Sequence, residues 1–404
     1  MKQPSASSSN YGIKPFLIGW VICLFALELV GHHFMLNQSK ELYDFPQFYA
    51  AGYLVRTHPS HLYDLAQQGS LQHAILPIRA FLPYYHPSYH ALLYAPFSLL
   101  SYRTAYSAIV VFNMLMVMGA FFVARPIFSS VIPWWQPRPG LMLFIFVPLL
   151  NAVMLGQDST LSLLLYCLTW RQLQSGKDMS AGFFLALALF KFQIVLPIAM
   201  LVAIRQGWRF TSGFLITASG IALLCFGIVG AAGTREYVRL LLAGAAVDKS
   251  IVAQHVMGLS PSLARTNIAG LLYACAGRFR PSHMAFNVLV AICSLAVFAW
   301  CARIIRHVEL KAAFAIAILC GLLVSYHLLN YDLTLALLPV ALLAGRTHRY
   351  ILLGLFGLPI ILGRFGTSSF FLLAIPLLAM LIYTIATSSK SALLTTMASQ
   401  SSPA

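Results

Sequence analysis

Four short stretches carry most of the residues able to do chemistry in an otherwise apolar chain. The first, ELYDFPQFYAAGYLV, holds Asp44 just ahead of Phe45, Phe48, Tyr49, Gly52 and Tyr53, which recur at helical spacing. Asp44 has two readings. It is a helix N-cap, with Pro46 tolerated in the first turn, or a general base at the bilayer surface made more basic by partial dehydration. The second stretch, NAVMLGQDSTLSLLL, puts Gly156 at one helix end and Asp158 or Ser159 at the cap of the next. Gln157 is left over, and its amide suits recognition of a hydroxyl. The third, LALALFKFQIVLP, places Lys191 in an apolar run. A lysine at mid-span costs about 2.5–3.5 kcal/mol on insertion scales and usually marks function. Nearer the headgroups it can snorkel, so a phosphate ligand and an anchor are both open. The fourth, SYHLLNYDLTL, sets His327, Asn330 and Asp332 between two apolar runs. His86 lies in the aromatic FLPYYHPSYHALLYAPF, and Arg364 lies in LGRFGTS, where it either holds an anion or is only solvated.

The surrounding chain decides what can position these residues. Of 404 residues, 60% are hydrophobic and 9% charged, with a mean hydropathy of +0.81. Soluble domains carry about 25% charged residues, so most of this chain cannot face water. Apolar runs of roughly 18 residues recur, each long enough to cross a bilayer as a helix. These features exclude a soluble enzyme, a secreted disulfide scaffold and a nucleic-acid-binding domain. The net charge of +16 reflects basic residues flanking spans. The seven cysteines show no CxxC and read as small apolar fillers. HExxH, GxSxG, DxD and a Gly-rich phosphate fingerprint are all missing from the sequence. Glu41 and Asp44, with His32 and His33 nearby, make only a weak metal set, so neither metal nor cofactor is expected.

Spans are expected at 16–35, 104–123, 141–155, 160–173, 211–229, 284–304, 312–328, 333–343, 351–362 and 370–387. Between Lys177 and Arg205 lies a run that does not fit one crossing. Basic residues flank both of its ends, so both ends belong on the cytoplasmic side. That requires two short helices with Lys191 near their tip. The total is about twelve helices in an all-α polytopic membrane protein, with both termini inside. Residues 1–14 and 388–404 read as disordered tails around a domain of residues 15–387. Outer loops at 37–89 and 231–281 carry interfacial helices, the first lying along the membrane with its apolar face down. Asp44, the GQD turn, Lys191, Asn330–Asp332 and Arg364 then gather on the face opposite the basic clusters.

In order, DFPQFYAAG, LYDL, the Tyr/His-Pro segment before APFSLLS, N-x-x-x-x-GQD, AGFFLALALFK, SPSL and H-x-x-x-YDLTLALLP resemble glycosyltransferase family 87 over residues 15–385. That family contains polyprenyl-phosphate-mannose-dependent α-mannosyltransferase-like proteins. The resemblance implies the C-type glycosyltransferase fold, a lipid-phosphate sugar donor and an active site on the outer, periplasmic face of the inner membrane. Asp44 matches the loop aspartate that serves as base, and His327 the polar residue near the donor. The sequence departs from the common pattern in GQD, where Asn often follows, and in Phe-Gln after Lys191, where Pro is frequent. A phosphate is a good leaving group, so one carboxylate suffices for displacement with inversion, whereas retaining schemes usually need two. One cation must neutralise the phosphate, and Lys191, Arg265 and Arg364 are candidates. His86, Gln157, Asp158, His327, Tyr331 and Asp332 are assigned to sugar, acceptor or scaffold. Expected partners are the lipid donor, a lipid or glycan acceptor and membrane lipids. The alternative is a transporter or flippase of lipid-linked substrates, which would line the bilayer centre with ionisable residues.

Overall fold

The computed structural model describes residues 44–76, 82–127, 146–246, 263–276, 279, 282–344, 346–363 and 367–400. The expected first span, the N-terminal tail, Glu41 and Arg364 lie outside the described residues. Among those described, the regular elements are all helical. In chain order they are α1 Phe45–Thr57, α2 Leu65–Ile75, α3 Ser88–Tyr94, α4 Tyr102–Val123, α5 Val147–Met154, α6 Ser159–Gln174, α7 Asp178–Ala186 and α8 Phe192–Gln206. They continue with α9 Trp208–Ala246, α10 Ile268–Ala276, α11 His283–Ile304, α12 Leu310–Val324, α13 Leu337–Leu342, α14 Arg349–Leu362 and α15 Ala374–Gln400. A 3-10 stretch, Asn330–Ala336, leads into α13. Five segments are long and apolar enough to cross a membrane: Tyr102–Val123, Leu189–Gln206, Trp208–Leu242, Met284–Ile304 and Ser369–Ser388.

Helix α12 is the hub. Every residue from Ala312 to Leu323 is buried, as expected of a helix that is apolar all round. Gly321 lets α8 approach closely, because a Cβ there would lie 2.6 Å from the Ile198 side chain. The segment around Lys191 does form two short helices. Helix α7 stops at Ala186, a 3-10 turn spans Leu189–Lys191, and α8 then runs unbroken through Pro197. The two outer ends meet again, with Gln206 Nε2 donating to Asp178 Oδ1 at 3.0 Å. Lys191 therefore sits at the tip of a hairpin.

The outer loops add detail to the expected layout. Helix α1 turns most of its apolar residues to protein rather than leaving one apolar face open. Phe45, Phe48, Ala50, Ala51 and Leu54 are all buried, packed under the other helices of the first outer loop. Their apolar surface is spent on protein rather than on lipid. The second outer loop opens as helix: α9 breaks at Gly230, whose φ of 66° permits the kink, and then continues to Ala246. Tyr237 on this arm stacks on Tyr63 at 4.6 Å. The Ser/Thr-rich tail from Ser388 continues α15 as far as Gln400 rather than being disordered.

Gly52 fixes α1 against α3, since a Cβ there would lie 2.4 Å from the Tyr94 carbonyl oxygen. Gly52→Ala should cost about 1–3 kcal/mol through forced separation of the two helices. Gly220→Ala, in a helical position with open space around it, should be neutral or slightly stabilising. Melting temperatures of the two purified variants check the contrast, and equal values would show that α1 is not held this way.

Candidate active site

Lys191 is the centre of a buried ionic cluster. It is 3% exposed. Its ammonium contacts Asp158 Oδ1 at 2.8 Å, Ser159 Oγ at 2.8 Å and Asp332 Oδ1. Ser159 Oγ and Asp332 Oδ1 accept hydrogen bonds from it, while Asp158 Oδ1 is held as an ion partner. Ser159 in turn donates to Asp332 Oδ1 at 3.0 Å, and the Leu329 amide donates to Asp332 Oδ2 at 3.2 Å. The other oxygen of Asp158 faces His90 Nε2 at 3.0 Å and His86 Nδ1 at 3.7 Å. Burial alone would raise the Asp158 carboxyl, but Lys191 and His90 outweigh it and hold the group well below the usual carboxylate range. The cluster joins the GQD turn, the hairpin tip and the YDL stretch, with Ser159 and Asp332 173 residues apart. Lys191 is therefore turned into the protein, toward two carboxylates and the Ser159 hydroxyl.

Local geometry explains why the turn delivers these groups. Helix α5 ends with Gly156 at φ 68°, and the Gln157 amide reaches back to the Ala152 carbonyl at 2.8 Å. A Cβ on Gly156 would lie 3.0 Å from the Phe45 ring, so the turn and the start of α1 are pressed together. Phe45 also packs on Tyr102 and Tyr106, while Phe48 stacks on Tyr94 at 4.8 Å. These aromatics hold the N-terminus of α1 over the GQD turn.

Asp44 stands at that N-terminus, yet it is not a cap. Its backbone is already helical (φ −78°, ψ −29°) and its side chain makes no capping hydrogen bond. Instead the carboxylate is hydrogen-bonded by Gln157, with Gln47 Nε2 at 3.5 Å. Removal from water raises its pKa; Gln157 and Lys191 lower it, while Asp332 and Asp158 raise it. The balance pushes Asp44 up to about 6 from 3.8. A carboxyl so placed is a competent proton acceptor near neutral pH.

His86 and His327 are both pushed toward the neutral form. Burial, reinforced by His90, brings His86 down to about 3, and burial with Arg265 brings His327 down to about 4. His86 Nδ1 donates to the Phe190 carbonyl at 2.9 Å, which leaves the lone pair on Nε2. His86, His90 and Asp158 present ligand atoms within 4.8 Å of one another. The Phe190 carbonyl engages His86 Nδ1, whereas Lys191 contacts Asp158 Oδ1 and not the Oδ2 that faces the histidines. Tyr331 lies beneath the cluster, with Lys191 Nζ 5.3 Å from its ring centre.

Arg265 is set apart from this network. Its segment docks on the chain leading to His327 through Thr266 N to Leu328 O at 3.0 Å and Asn267 Nδ2 to Ser325 O. Its Nε is buried without an acceptor, and among the described residues it has no acidic partner. It is a cation beside the cluster with donors to spare. His90 was absent from the candidates drawn from sequence, although its i, i+4 spacing from His86 would have flagged it. The partners of Lys191 carried no such signal.

The profile of glycosyltransferase family 87 matches residues 84–329, more than half of the chain. The chain belongs to that family, and it is a membrane glycosyltransferase. No curated protein and no solved structure matched it.

Lys191→Met should destabilise the fold by about 3–5 kcal/mol, because two carboxylates would be left facing each other in a buried site. Adding Asp332→Asn should recover part of the loss by removing one of those charges. Thermal unfolding of the single and double variants tests the coupling; a single variant that melts like wild type would mean the ion pairs do not hold the site.

Proposed function

We propose that the protein is an inverting glycosyltransferase that moves a sugar, mannose by family resemblance, from a polyprenyl phosphate to an acceptor hydroxyl on the periplasmic side. The carrying observation is Asp44, a carboxyl held by Gln157 at a pKa near 6 beside a cluster whose other carboxylates are neutralised. Asp44 takes the proton from the acceptor hydroxyl as its oxygen attacks the anomeric carbon. The bond from that carbon to the phosphate oxygen breaks, and the phosphate leaves with the electron pair. Arg265, a nearby cation without an acidic partner among the described residues, stabilises the developing charge, with Arg364 as a second candidate. Lys191 acts as a positioning residue that fixes Asp158 and Asp332. His86, Gln157, His327 and Tyr331 line the sugar and acceptor side. The flippase alternative gains no support, because the charged groups gather in one cluster rather than along a path.

Asp44→Asn and Asp44→Ser should both lower sugar transfer by at least about 10²-fold, since neither can accept the proton. Wild-type activity should fall as pH drops through about 6, where Asp44 becomes protonated. The linkage sign is opposite for stability. A carboxyl with a raised folded pKa favours the fold most at low pH and loses that contribution as pH rises from about 4 to about 6. Asp44→Asn should therefore melt at or above wild type at pH 7.5. Transfer assays and melting curves on the same preparations decide it; folded and active variants would remove the base from this mechanism.

Arg265→Gln should raise the KM for the lipid donor or lower kcat by about tenfold or more, as expected for losing a charge-assisted phosphate contact. Wild-type kinetics for the donor in this variant would place the phosphate elsewhere.

A further inference from the structure

Helix α6 begins in the ionic cluster with Ser159 and runs for 16 residues. At about 1.5 Å per residue its far end lies roughly 24 Å away, close to the thickness of a hydrocarbon core. A cavity of about 380 Å³ opens there, between the ends of α4 and α6. Its walls include Phe122, Arg125, Trp170, Arg171, Gln174 and Ser175.

The chemistry of these walls is one-sided. Arg125 and Arg171 have no acidic partner among the described residues, and the lining contains no carboxylate. Trp170 is 2% exposed, and its indole N–H is buried without an acceptor. A buried donor left unpaired is costly. The acceptors at the end of α6 are already used: Ser175 N and Oγ both reach Arg171 O, at 3.2 and 2.9 Å. Gly176 N takes Leu173 O at 3.1 Å and Lys177 N takes Gln172 O at 2.9 Å. Two guanidinium groups at a helix C-terminus would by themselves only complement the helix dipole. The orphan N–H in the same wall asks for an acceptor that the described residues do not provide.

We propose that this cavity is a headgroup site for an anionic phospholipid in the leaflet opposite the catalytic cluster. The phosphate oxygens would accept from Arg125, Arg171 and the Trp170 N–H. The acyl chains would leave past Phe122, which is 45% exposed on the outer surface of α4. A lipid suits the site better than a free anion, because the cavity opens beside an apolar helix face at the level where headgroups lie. The site does not depend on the reaction assigned to the Asp44 face.

The test uses the full chain in detergent, titrated with phosphatidylglycerol, phosphatidylcholine or inorganic phosphate. Native mass spectrometry counts retained lipid, and melting temperature reports its effect. Wild type should retain phosphatidylglycerol in preference to phosphatidylcholine and melt higher with it. The pair Arg125→Gln/Arg171→Gln should need on the order of tenfold more phosphatidylglycerol for the same shift, since each basic contact near a lipid surface contributes about 1 kcal/mol. Trp170→Phe, which keeps the ring and loses only the donor, should weaken retention with little change in the lipid-free melting point. The exposed control pair Arg209→Gln/Arg349→Gln should behave as wild type. Unchanged retention in both the arginine pair and Trp170→Phe would overturn the site. A melting shift reproduced by inorganic phosphate in wild type and lost in the arginine pair would make it a free-anion site and overturn the lipid.

Discussion

One ammonium held between two carboxylates in a water-poor interior organises this protein. Neither Lys191 nor Asp158 nor Asp332 could stay ionised alone there, since an isolated charge in such a medium is too costly to keep. Together with Ser159 they form a set in which Lys191 is ion-paired to both carboxylates and donates to Ser159 Oγ and Asp332 Oδ1. Three remote parts of the chain must meet for the set to close. The hairpin tip supplies the ammonium, the GQD turn one carboxylate and the YDL stretch the other. A buried polar network is stabilising only when complete, so the cluster acts as a registration device for the helices that carry it.

Asp44 derives its chemistry from standing beside this set rather than within it. Lys191 is shared by Asp158 and Asp332, so its field at Asp44 is largely cancelled, and those two carboxylates push the other way. Removal from water then dominates, and the group rises to about 6. Had Asp44 contacted Lys191 directly, it would resemble Asp158: held strongly acidic and poor at taking a proton. The Gln157 amide orients the carboxylate without supplying a charge. The adjacent residues Gln157 and Asp158 thus divide the work, one reaching up to the base and the other down to the lysine.

Sequence made the membrane class, the hairpin around Lys191 and the interest of Asp44 legible, because each rests on local composition or on charge flanking a span. Basic residues at both ends of an apolar run forced the chain to turn, and Lys191 was the polar residue at the turn. Spacing could not decide between cap and base for Asp44, since both need a carboxylate ahead of a helix. The decision came from Gln157, which is 113 residues later. Lys191 likewise read as a phosphate ligand or an anchor, because its acidic partners, 33 and 141 residues away, carry no local signal. Helix α1 shows a related limit. Its apolar spacing specifies something greasy to lie against, and not whether that is lipid or another helix.

The charge balance also constrains where a phosphate can go. Around one lysine stand Asp44, Asp158 and Asp332, so the centre of the cluster carries excess negative charge whenever Asp44 is ionised. A phosphate brought to that centre would meet those carboxylates. Arg265 offers the complementary case: a guanidinium whose segment is fixed by backbone contacts, near His327, which burial and Arg265 itself push toward the neutral form. In the proposed assignment, keeping the phosphate cation apart from Asp44 preserves the basicity of its carboxylate, because a second full positive charge at hydrogen-bond distance would lower its pKa again. In the proposed reaction an in-line displacement needs a proton acceptor where the hydroxyl attacks and a cation where the phosphate departs, the roles given to Asp44 and Arg265.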